Sequence, residues 1–532
     1  MEPLAPAPAE GLNGAESLVQ TLAASGVELC FANPGTSEMH FVAALDRLPG
    51  VRCVLGLFEG VATGAADGYY RMAGKPAATL LHLGAGLGNG LANLHNANKA
   101  RSGIVNVIGD HAHEHLRHES PLKSDIAAIA GAVSHWVRSA ASAAEVGADA
   151  AAAVAATRDG AVGRIATLIL PADTAWGAGG RVAAAPPTVP PSVPAALRAE
   201  VVPAVARLLT QQGRQALLLL GAAGSAREDA QRLAAAIAAK TGCRVMAEFY
   251  NARLPGGRGR PRLERLPYAV DAALARLAGT QTLVLAGSTD PIGFFAYPGK
   301  PSRLAPPGAA TITLAAPHED VPGALQALAD ELGVSAADAP IPPAEPAMLG
   351  ADEALTPESM ARTLAAVLPE QTVIVEEGVT SARNLAPALV QAAPHDGLQL
   401  MGGAIGFGLP AAVGAAIGAP GRPVLALEGD GSAMYTLQAL WTMARESLPV
   451  VVLVFANRAY RILQGELQGV GARISGPRAR DMLSLDRPAL DWVALARGHG
   501  VPGVRVERSA ALAKALADGF ASGGPYLIEA VL

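Results

Sequence analysis

The stretch of residues 423–458, PVLALEGDGSAMYTLQALWTMARESLPVVVLVFANR, decides the fold. Its apolar runs and its Gly-Asp-Gly turn predict a strand, a helix and a second strand at Pro423–Leu427, Met434–Arg445 and Pro449–Phe455. Two strands joined in this way run parallel with a right-handed crossover. We therefore expect Asp430 and Asn457, which follow the two strands, to lie side by side at the carboxyl edge of a parallel sheet.

These two side chains offer oxygen ligands to a divalent metal ion. A carboxylate, an amide oxygen and a main-chain carbonyl are hard ligands, and magnesium would complete its six positions with phosphate oxygens and water. Gly429 and Gly431 allow backbone amides to approach a phosphate, and the helix after Ser432 directs its positive end toward the same anion. The predicted ligand is a metal diphosphate. Without Asn457, the Asp-Gly pair would indicate only a turn.

Composition limits the class of protein. The 532 residues are too many for one core and predict about three domains. Apolar residues make up 51 % and charged residues 16 %, so extensive cores and subunit interfaces are expected. The net charge of −5 argues against nucleic-acid binding. No apolar run reaches the length of a membrane span, and Met1–Gly11 does not resemble a signal peptide.

The cysteines indicate a reducing compartment. Cys30, Cys53 and Cys243 are widely spaced and lie in or beside apolar sequence, so all three are expected to be buried free thiols. With no targeting or membrane segment visible, we predict a cytoplasmic protein.

Two proline-rich stretches, Ala183–Pro194 and Ala336–Pro346, indicate extended linkers. They predict domains at residues 1–182, 195–335 and 352–532. Each domain alternates short Val/Leu/Ile runs with Ala-rich helical stretches, which is typical of α/β proteins. The predicted fold is three doubly wound parallel-sheet domains. Predicted strands are Glu28–Ala32, Arg52–Leu57, Ala78–His82, Ile104–Ile108, Ala166–Leu170, Gln215–Leu220, Arg244–Ala247, Thr282–Ala286, Ala310–Leu314, Thr372–Val375, Val424–Leu427, Val450–Phe455 and Tyr526–Ala530.

The Gly-Asp-Gly-Ser motif, with 25 residues between Gly431 and Asn457, resembles the thiamine diphosphate (ThDP) enzymes. That family usually has Asn-Asn where this chain has Asn457-Arg458. The resemblance implies that Asp430 and Asn457 bind magnesium by their side chains and that Ala459 binds it by its main-chain oxygen. It also implies a pyrimidine-binding first domain, a central domain and a diphosphate-binding third domain. The implied cofactor contacts in the third domain are Thr380, Ser381, the Gly403 carbonyl, the Ile405 side chain, Gly429, Gly431 and Ser432.

Glu59 is the predicted cofactor activator. It follows the apolar run Val54–Phe58 and precedes a helical start rich in small residues, so its carboxylate should be partly desolvated and its pKa raised. A helix-start glutamate that interacts with the helix dipole is the alternative. The resemblance implies that Glu59 hydrogen-bonds N1′ of the aminopyrimidine and promotes removal of the thiazolium C2 proton. Because the family places this glutamate and the metal motif on different subunits, it also implies a homodimer or homotetramer.

Thr36 and His82 are further catalytic candidates. Asn33–Thr36 and the segment that follows His82 resemble benzoylformate decarboxylase, in which a serine and a histidine stand at these places. An ordinary Pro-Gly turn and a hydrogen-bonded core histidine are the alternatives. Phe294 and Phe295 lie where that enzyme presents a second histidine, and we expect one or the other to pack against the substrate.

The run His111–His118 has alternating histidines but no second ligand cluster, so a substrate-side loop is a better interpretation than a zinc site. His111, His115 and His118 are then candidates for substrate contact.

The resemblance implies a ThDP- and magnesium-dependent lyase or carboligase acting on a small-molecule 2-oxo acid. Decarboxylation to an enamine would be followed by ligation to a second carbonyl, as in acetolactate synthases. The alternatives are a benzoylformate decarboxylase-like enzyme that releases an aldehyde and a flavin-linked 2-oxo acid oxidase. The glutamine expected of acetolactate synthases is absent from Pro121–Ser124, and no glycine-rich fingerprint indicates FAD.

Overall fold

The computed structural model describes residues 11–343, 345–472 and 476–532. Most of the predicted Met1–Gly11 stretch therefore lies outside the described residues. The chain divides into two compact units: the residues up to Asp159 with Gly163–Thr188, and Gly160–Val162 with Val189–Leu532. The first unit contains one large parallel sheet and the second contains two, so the predicted α/β fold is confirmed. The domain boundaries at 1–182, 195–335 and 352–532 stay a prediction.

The sheet of the first unit has six parallel strands with helices on both sides. Its strands, in spatial order, are Arg52–Leu55, Leu29–Ala32, Ala77–Leu81, Ile104–Asp110, Ile165–Pro171 and Trp136–Ser139. The helices are Gly14–Ala24, Met39–Arg47, Glu59–Ala73, Leu83–Ala100, Ile126–Gly131, Val146–Ala156 and Ala172–Trp176. The central strands are buried on both faces, which explains their continuous apolar sequence.

One of the two large sheets of the second unit has four parallel strands. Its strands, in spatial order, are Arg244–Ala247, Ala216–Leu220, Thr282–Ala286 and Ala310–Ala315. Its helices are Val202–Gln212, Ala222–Ala226, Glu228–Thr241, Val270–Leu277 and Val321–Leu332. Apolar clusters fill the space between sheet and helices on both faces.

The other large sheet has seven strands, of which the first is antiparallel to its neighbour. Its strands, in spatial order, are Leu254–Gly256, His395–Gln399, Thr372–Glu377, Val424–Gly429, Val450–Ala456, Tyr526–Val531 and Gly503–Val506. Its helices are Pro357–Val367, Leu385–Leu389, Gly408–Gly418, Asp430–Ala433, Ala439–Arg445, Arg461–Gly469, Pro477–Asp481, Trp492–Gly498 and Ser509–Ala521.

Two predictions about local structure were wrong. The helix expected over Met434–Arg445 is interrupted, because the chain between Ala433 and Ala439 turns the buried Thr436 hydroxyl inward, where it donates to the Gly406 carbonyl at 2.9 Å. Cys53 was expected to be buried but is exposed, since Arg52–Leu55 is the edge strand of its sheet. Cys30 and Cys243 are buried, as expected.

Among the described residues, we find no helix with the length and apolarity needed to cross a membrane.

Candidate active site

The structure places Asp430 and Asn457 at the same edge of one sheet. Their strands, Val424–Gly429 and Val450–Ala456, are adjacent and parallel, with Gly429 opposite Phe455. The turn after the second strand joins both side chains: the Arg458 amide donates to Asp430 Oδ2 at 2.6 Å, and the Ala459 amide donates to Asn457 Oδ1 at 3.0 Å. The predicted carboxylate, amide and main-chain ligands are thus parts of one hydrogen-bonded turn.

Asp430 is held in surroundings that suit a cation. It is only 3 % exposed, and burial raises its pKa although backbone amides donate to it. A nearby cation would favour its ionised form. The residues described contain no group of three or more His, Cys, Asp or Glu placed to bind a metal, but the set predicted here has a single carboxylate and relies on amide and main-chain oxygens.

The predicted diphosphate contacts surround this turn. Asn457 Nδ2 donates to Ser381 Oγ at 3.2 Å, and Ser432 Oγ donates to the Gly429 carbonyl at 3.1 Å. A Cβ on Gly431 would lie 2.5 Å from the Tyr460 ring, so only glycine fits there. The short helix Asp430–Ala433 begins at the turn, so its first amides point to the carboxyl edge of the sheet.

The segment Gly402–Phe407 is fixed by a buried carboxylate that the sequence did not reveal. Glu377 accepts from the Gly406 amide at 2.7 Å, from the Gly408 amide at 2.5 Å and from the Phe407 amide. These hydrogen bonds to Glu377 fix a segment that includes two of the predicted pyrimidine contacts, Gly403 and Ile405.

Gly403 also lies against an aromatic side chain. Its φ is 75°, which favours glycine, and a Cβ there would lie 2.5 Å from the Phe294 ring. Phe294 contacts Phe295 edge to face, and both rings remain more than 40 % exposed. Phe294 therefore borders the predicted cofactor segment, and Phe295 lies beside Phe294.

In the first unit, Glu59 begins the helix Glu59–Ala73 and is 7 % exposed. Asn89 Nδ2 donates to its Oε2 at 2.9 Å, while a Cβ on Gly86 would lie 2.8 Å from its Oε1. The carboxylate is buried beside a glycine-rich helix face with one fixed amide donor. That environment agrees with the desolvated setting expected for this residue.

His82 is oriented by a second buried acid, Glu38. The Glu38 side chain has no exposed surface, and its Oε2 lies 2.9 Å from His82 Nδ1 and accepts from the Gly35 amide at 2.8 Å. This contact fixes the orientation of the imidazole, and a hydrogen on Nδ1 would suit the accepting carboxylate oxygen. Gly35 packs directly on the imidazole, and Thr36 follows it with an exposed side chain.

The remaining histidine candidates form a separate group in the first unit. The ring centroids of His111 and His115 are 5.2 Å apart, and those of His115 and His118 are 5.5 Å apart. His111 Nε2 also lies 3.0 Å from Ser120 Oγ. These contacts describe a packed loop, and their role in substrate contact stays a prediction.

Strained backbone flanks three of the predicted site residues. Leu83, Val379 and Arg458 have φ angles of 50°, 43° and 56°, and each adjoins a candidate: His82, Thr380 or Asn457. Left-handed conformations are costly for residues with a side chain and cluster at functional sites.

Comparison with known proteins agrees with this geometry. Residues 12–129 match the family described as thiamine pyrophosphate enzyme, N-terminal TPP binding domain, and residues 378–530 match its C-terminal TPP binding domain. The chain is 51 % identical over 522 residues to the "Putative acetolactate synthase large subunit IlvX" of Mycobacterium tuberculosis, covering 98 % of this chain and 99 % of that protein. The chain belongs to the thiamine pyrophosphate enzymes.

More distant members of this family also match along nearly the whole chain. Benzoylformate decarboxylase of Pseudomonas aeruginosa is 29 % identical over 526 residues, covering 95 % of this chain and 96 % of that enzyme. The solved structure of the ThDP-dependent 4-hydroxybenzoylformate decarboxylase of Rhodococcus jostii RHA1 superposes with a TM-score of 0.81 at 25 % identity, covering 97 % of this chain and 98 % of that one.

Several polar residues that contact the predicted site residues could not be singled out from the sequence. They are Glu38, Asn89 and Glu377. None belongs to a motif, because their partners His82, Glu59 and Gly406 lie 44, 30 and 29 residues away. Buried acids in otherwise apolar strands or turns were the only available signal.

Proposed function

We propose that this chain is a ThDP- and magnesium-dependent 2-oxo acid decarboxylase that releases an aldehyde. Asp430, Asn457 and the main-chain oxygen of Ala459 would hold the metal ion, and Ser381 and Ser432 would bind the diphosphate. Bound ThDP supplies a nucleophilic carbon and accepts the electron pair when the bond between the keto carbon and the carboxylate breaks. The desolvated Asp430 and the glycine-only space at the turn support this assignment.

The other predicted cofactor contacts fit the same proposal. Gly403 would accept from the aminopyrimidine through its carbonyl, and Ile405 would support the bent cofactor. Thr380 lies in the turn next to the strained Val379, close in sequence to Ser381.

Glu59 would move the proton that activates the cofactor. Its buried carboxylate suits a hydrogen bond to a ring nitrogen, and the amide of Asn89 leaves Oε1 as the oxygen for that contact. A buried acid placed in this way transfers a proton efficiently because neither partner must first shed water.

The His82–Glu38 pair is the observation that carries the choice of reaction. Glu38 holds Nδ1, so His82 can present a proton on Nε2 to a carbon that becomes basic after carbon dioxide leaves. A fixed proton donor favours protonation and aldehyde release over attack on a second carbonyl. Thr36, which follows the Gly35 that packs on this imidazole, would assist in positioning the substrate carboxylate.

Carboligation is the second candidate, because the relative that is 51 % identical is named as an acetolactate synthase large subunit. Both reactions begin with the same decarboxylation. They differ only in which electrophile then reacts with the resulting carbon. A proton from His82 gives an aldehyde, and a second 2-oxo acid or aldehyde gives a hydroxyketone.

Product analysis separates these reactions. The purified protein is mixed with ThDP, magnesium and either pyruvate or benzoylformate, and products are identified by NMR. We expect aldehyde to dominate, and Glu38→Gln to lower the aldehyde yield by about tenfold or more because it weakens the hold on His82. Glu119→Gln, with a side chain 87 % exposed in the same unit, is the matched control.

Three outcomes would count against the proposed reaction. Hydroxyketone as the main product from wild-type protein would favour the ligase. Flavin absorbance together with oxygen uptake would favour the oxidase. Equal aldehyde yields from Glu38→Gln and wild type would contradict the proposal that His82, oriented by Glu38, donates the proton.

The family resemblance also supports a homodimer or homotetramer, which we propose as the active form. Sedimentation equilibrium with and without ThDP and magnesium tests it, and a monomer that retains full activity would contradict it.

A further inference from the structure

Two cysteines face each other on neighbouring strands of the first unit. Cys30 lies in Leu29–Ala32 and Cys53 in the edge strand Arg52–Leu55, and the parallel register pairs them directly. Residues paired in this way project from the same face of a sheet, and their Cα atoms are about 4.8 Å apart. Disulfides span Cα separations of roughly 4.4–6.8 Å.

The two thiols interact but differ in access to solvent. A hydrogen bond with Cys53 and burial together raise the pKa of Cys30, whose exposed fraction is 0 %. Cys53 is exposed because no further strand covers this edge. A small oxidant in solution can therefore reach Cys53. Cys30 lies beside it as a second thiol that burial shields from solvent.

We propose that Cys30 and Cys53 form a reversible peroxide-sensitive disulfide. The Cys53 thiolate attacks one oxygen of the peroxide, the O–O bond breaks, and Cys53 becomes a sulfenic acid as hydroxide leaves and takes up a proton to give water. Cys30 sulfur then attacks the Cys53 sulfur, the S–S bond forms, and the sulfenic oxygen leaves as water with the Cys30 proton. Two thiols and one peroxide give one disulfide and two waters, and a dithiol reductant reverses the change.

The position of this pair gives the modification a defined local effect. The strand of Cys30 continues into Asn33, whose side-chain amide donates to the Gly56 carbonyl at 2.8 Å, directly after the strand of Cys53. Three residues beyond Gly56 stands Glu59. The disulfide would join the two strands that carry the Asn33–Thr36 loop and the predicted cofactor acid. The inference does not depend on which reaction the protein catalyses.

Thiol counting on the full-length protein tests the proposal. The reduced chain has three thiols, and hydrogen peroxide should leave one that reacts under denaturing conditions, with a mass loss of two hydrogen atoms and full recovery after dithiothreitol. Peptide mapping without reductant should find the Cys30 and Cys53 peptides linked. Cys243→Ser, which removes a buried cysteine of the other unit, should behave in the same way with one thiol fewer.

Matched serine variants identify the two partners. Cys30→Ser should instead accumulate sulfenic or sulfinic acid at Cys53, and Cys53→Ser should retain both remaining thiols at the same peroxide dose. Circular dichroism of each variant checks that it is folded. The proposal is overturned if wild-type protein keeps all three thiols, gains oxygen on Cys53 without linkage to Cys30, or forms only disulfides between two copies of the chain.

Discussion

Replacing Glu428 by Gln should reduce the dependence of stability on pH. Glu428 is fully buried on Val424–Gly429, beside Glu377 on the neighbouring strand. Burial and the adjacent Glu377 raise the pKa of Glu428 well above its usual range, and burial raises the pKa of Glu377 to about 7. Because three backbone amides donate to Glu377 and stabilise its ionised form, Glu428 is the acid of the pair that retains its proton.

The sign of the effect follows from proton binding. Both folded pKa values lie above the unfolded value near 4.5, so the folded state binds more protons than the unfolded chain above that pH. The stabilising contribution is complete below the unfolded pKa and is lost as pH rises through each folded pKa. Above about pH 7, the proton retained by Glu428 makes the unfolding free energy fall with pH, by about 1.4 kcal/mol per pH unit while Glu428 stays protonated.

The measurement is urea unfolding of cofactor-free protein between about pH 7 and about pH 9, followed by fluorescence of the fully buried Trp492. We expect the wild-type free energy of unfolding to fall more steeply with pH than that of Glu428→Gln, by about tenfold in the folding equilibrium constant per pH unit. Glu507→Gln, at an exposed position, should retain the wild-type slope. Parallel pH profiles for wild type and Glu428→Gln would refute the assignment of a retained proton.

Three further variants test the predicted site. Arg458→Asn should raise the unfolding free energy by about 1 kcal/mol, because φ is 56° there and the side chain is exposed; an unchanged or lower thermal midpoint would contradict the strain argument. Glu59→Gln should bind ThDP but slow hydrogen–deuterium exchange at C2 by about 100-fold or more, so wild-type exchange measured by NMR would refute its role. Asp430→Ala should abolish the magnesium dependence of ThDP retention on gel filtration, and unchanged retention would exclude it from the metal site.

Apolar runs predicted most of the fold because parallel strands are buried on both faces. The predicted Val450–Phe455 and Thr282–Ala286 differ from the observed strands by at most one residue. Strands with mixed or polar sequence were missed: Trp136–Ser139, His395–Gln399, Gly503–Val506 and Leu254–Gly256. Their membership in a sheet depends on long-range pairing, to which local periodicity is insensitive.

Local sequence also could not place side chains whose role depends on a distant partner. The Asp430 and Asn457 pairing was predictable because one crossover unit carries both residues. The contact between Glu38 and His82 was not predictable in this way, because the two residues are 44 positions apart in the sequence. The exposure of Cys53 depends on the order of strands in the sheet, which the strand pattern alone leaves open.

The antiparallel strand Leu254–Gly256 limits how freely the parts of this chain can be exchanged between proteins. It comes from the segment between the two proline-rich stretches, yet it completes the sheet that carries Asp430 by pairing with His395–Gln399. A recombinant fragment of residues 352–532 would leave the backbone amides and carbonyls of that strand without this partner and open to another chain. Chimeric proteins should therefore take the segment that contains Leu254–Gly256 and residues 352–532 from the same parent.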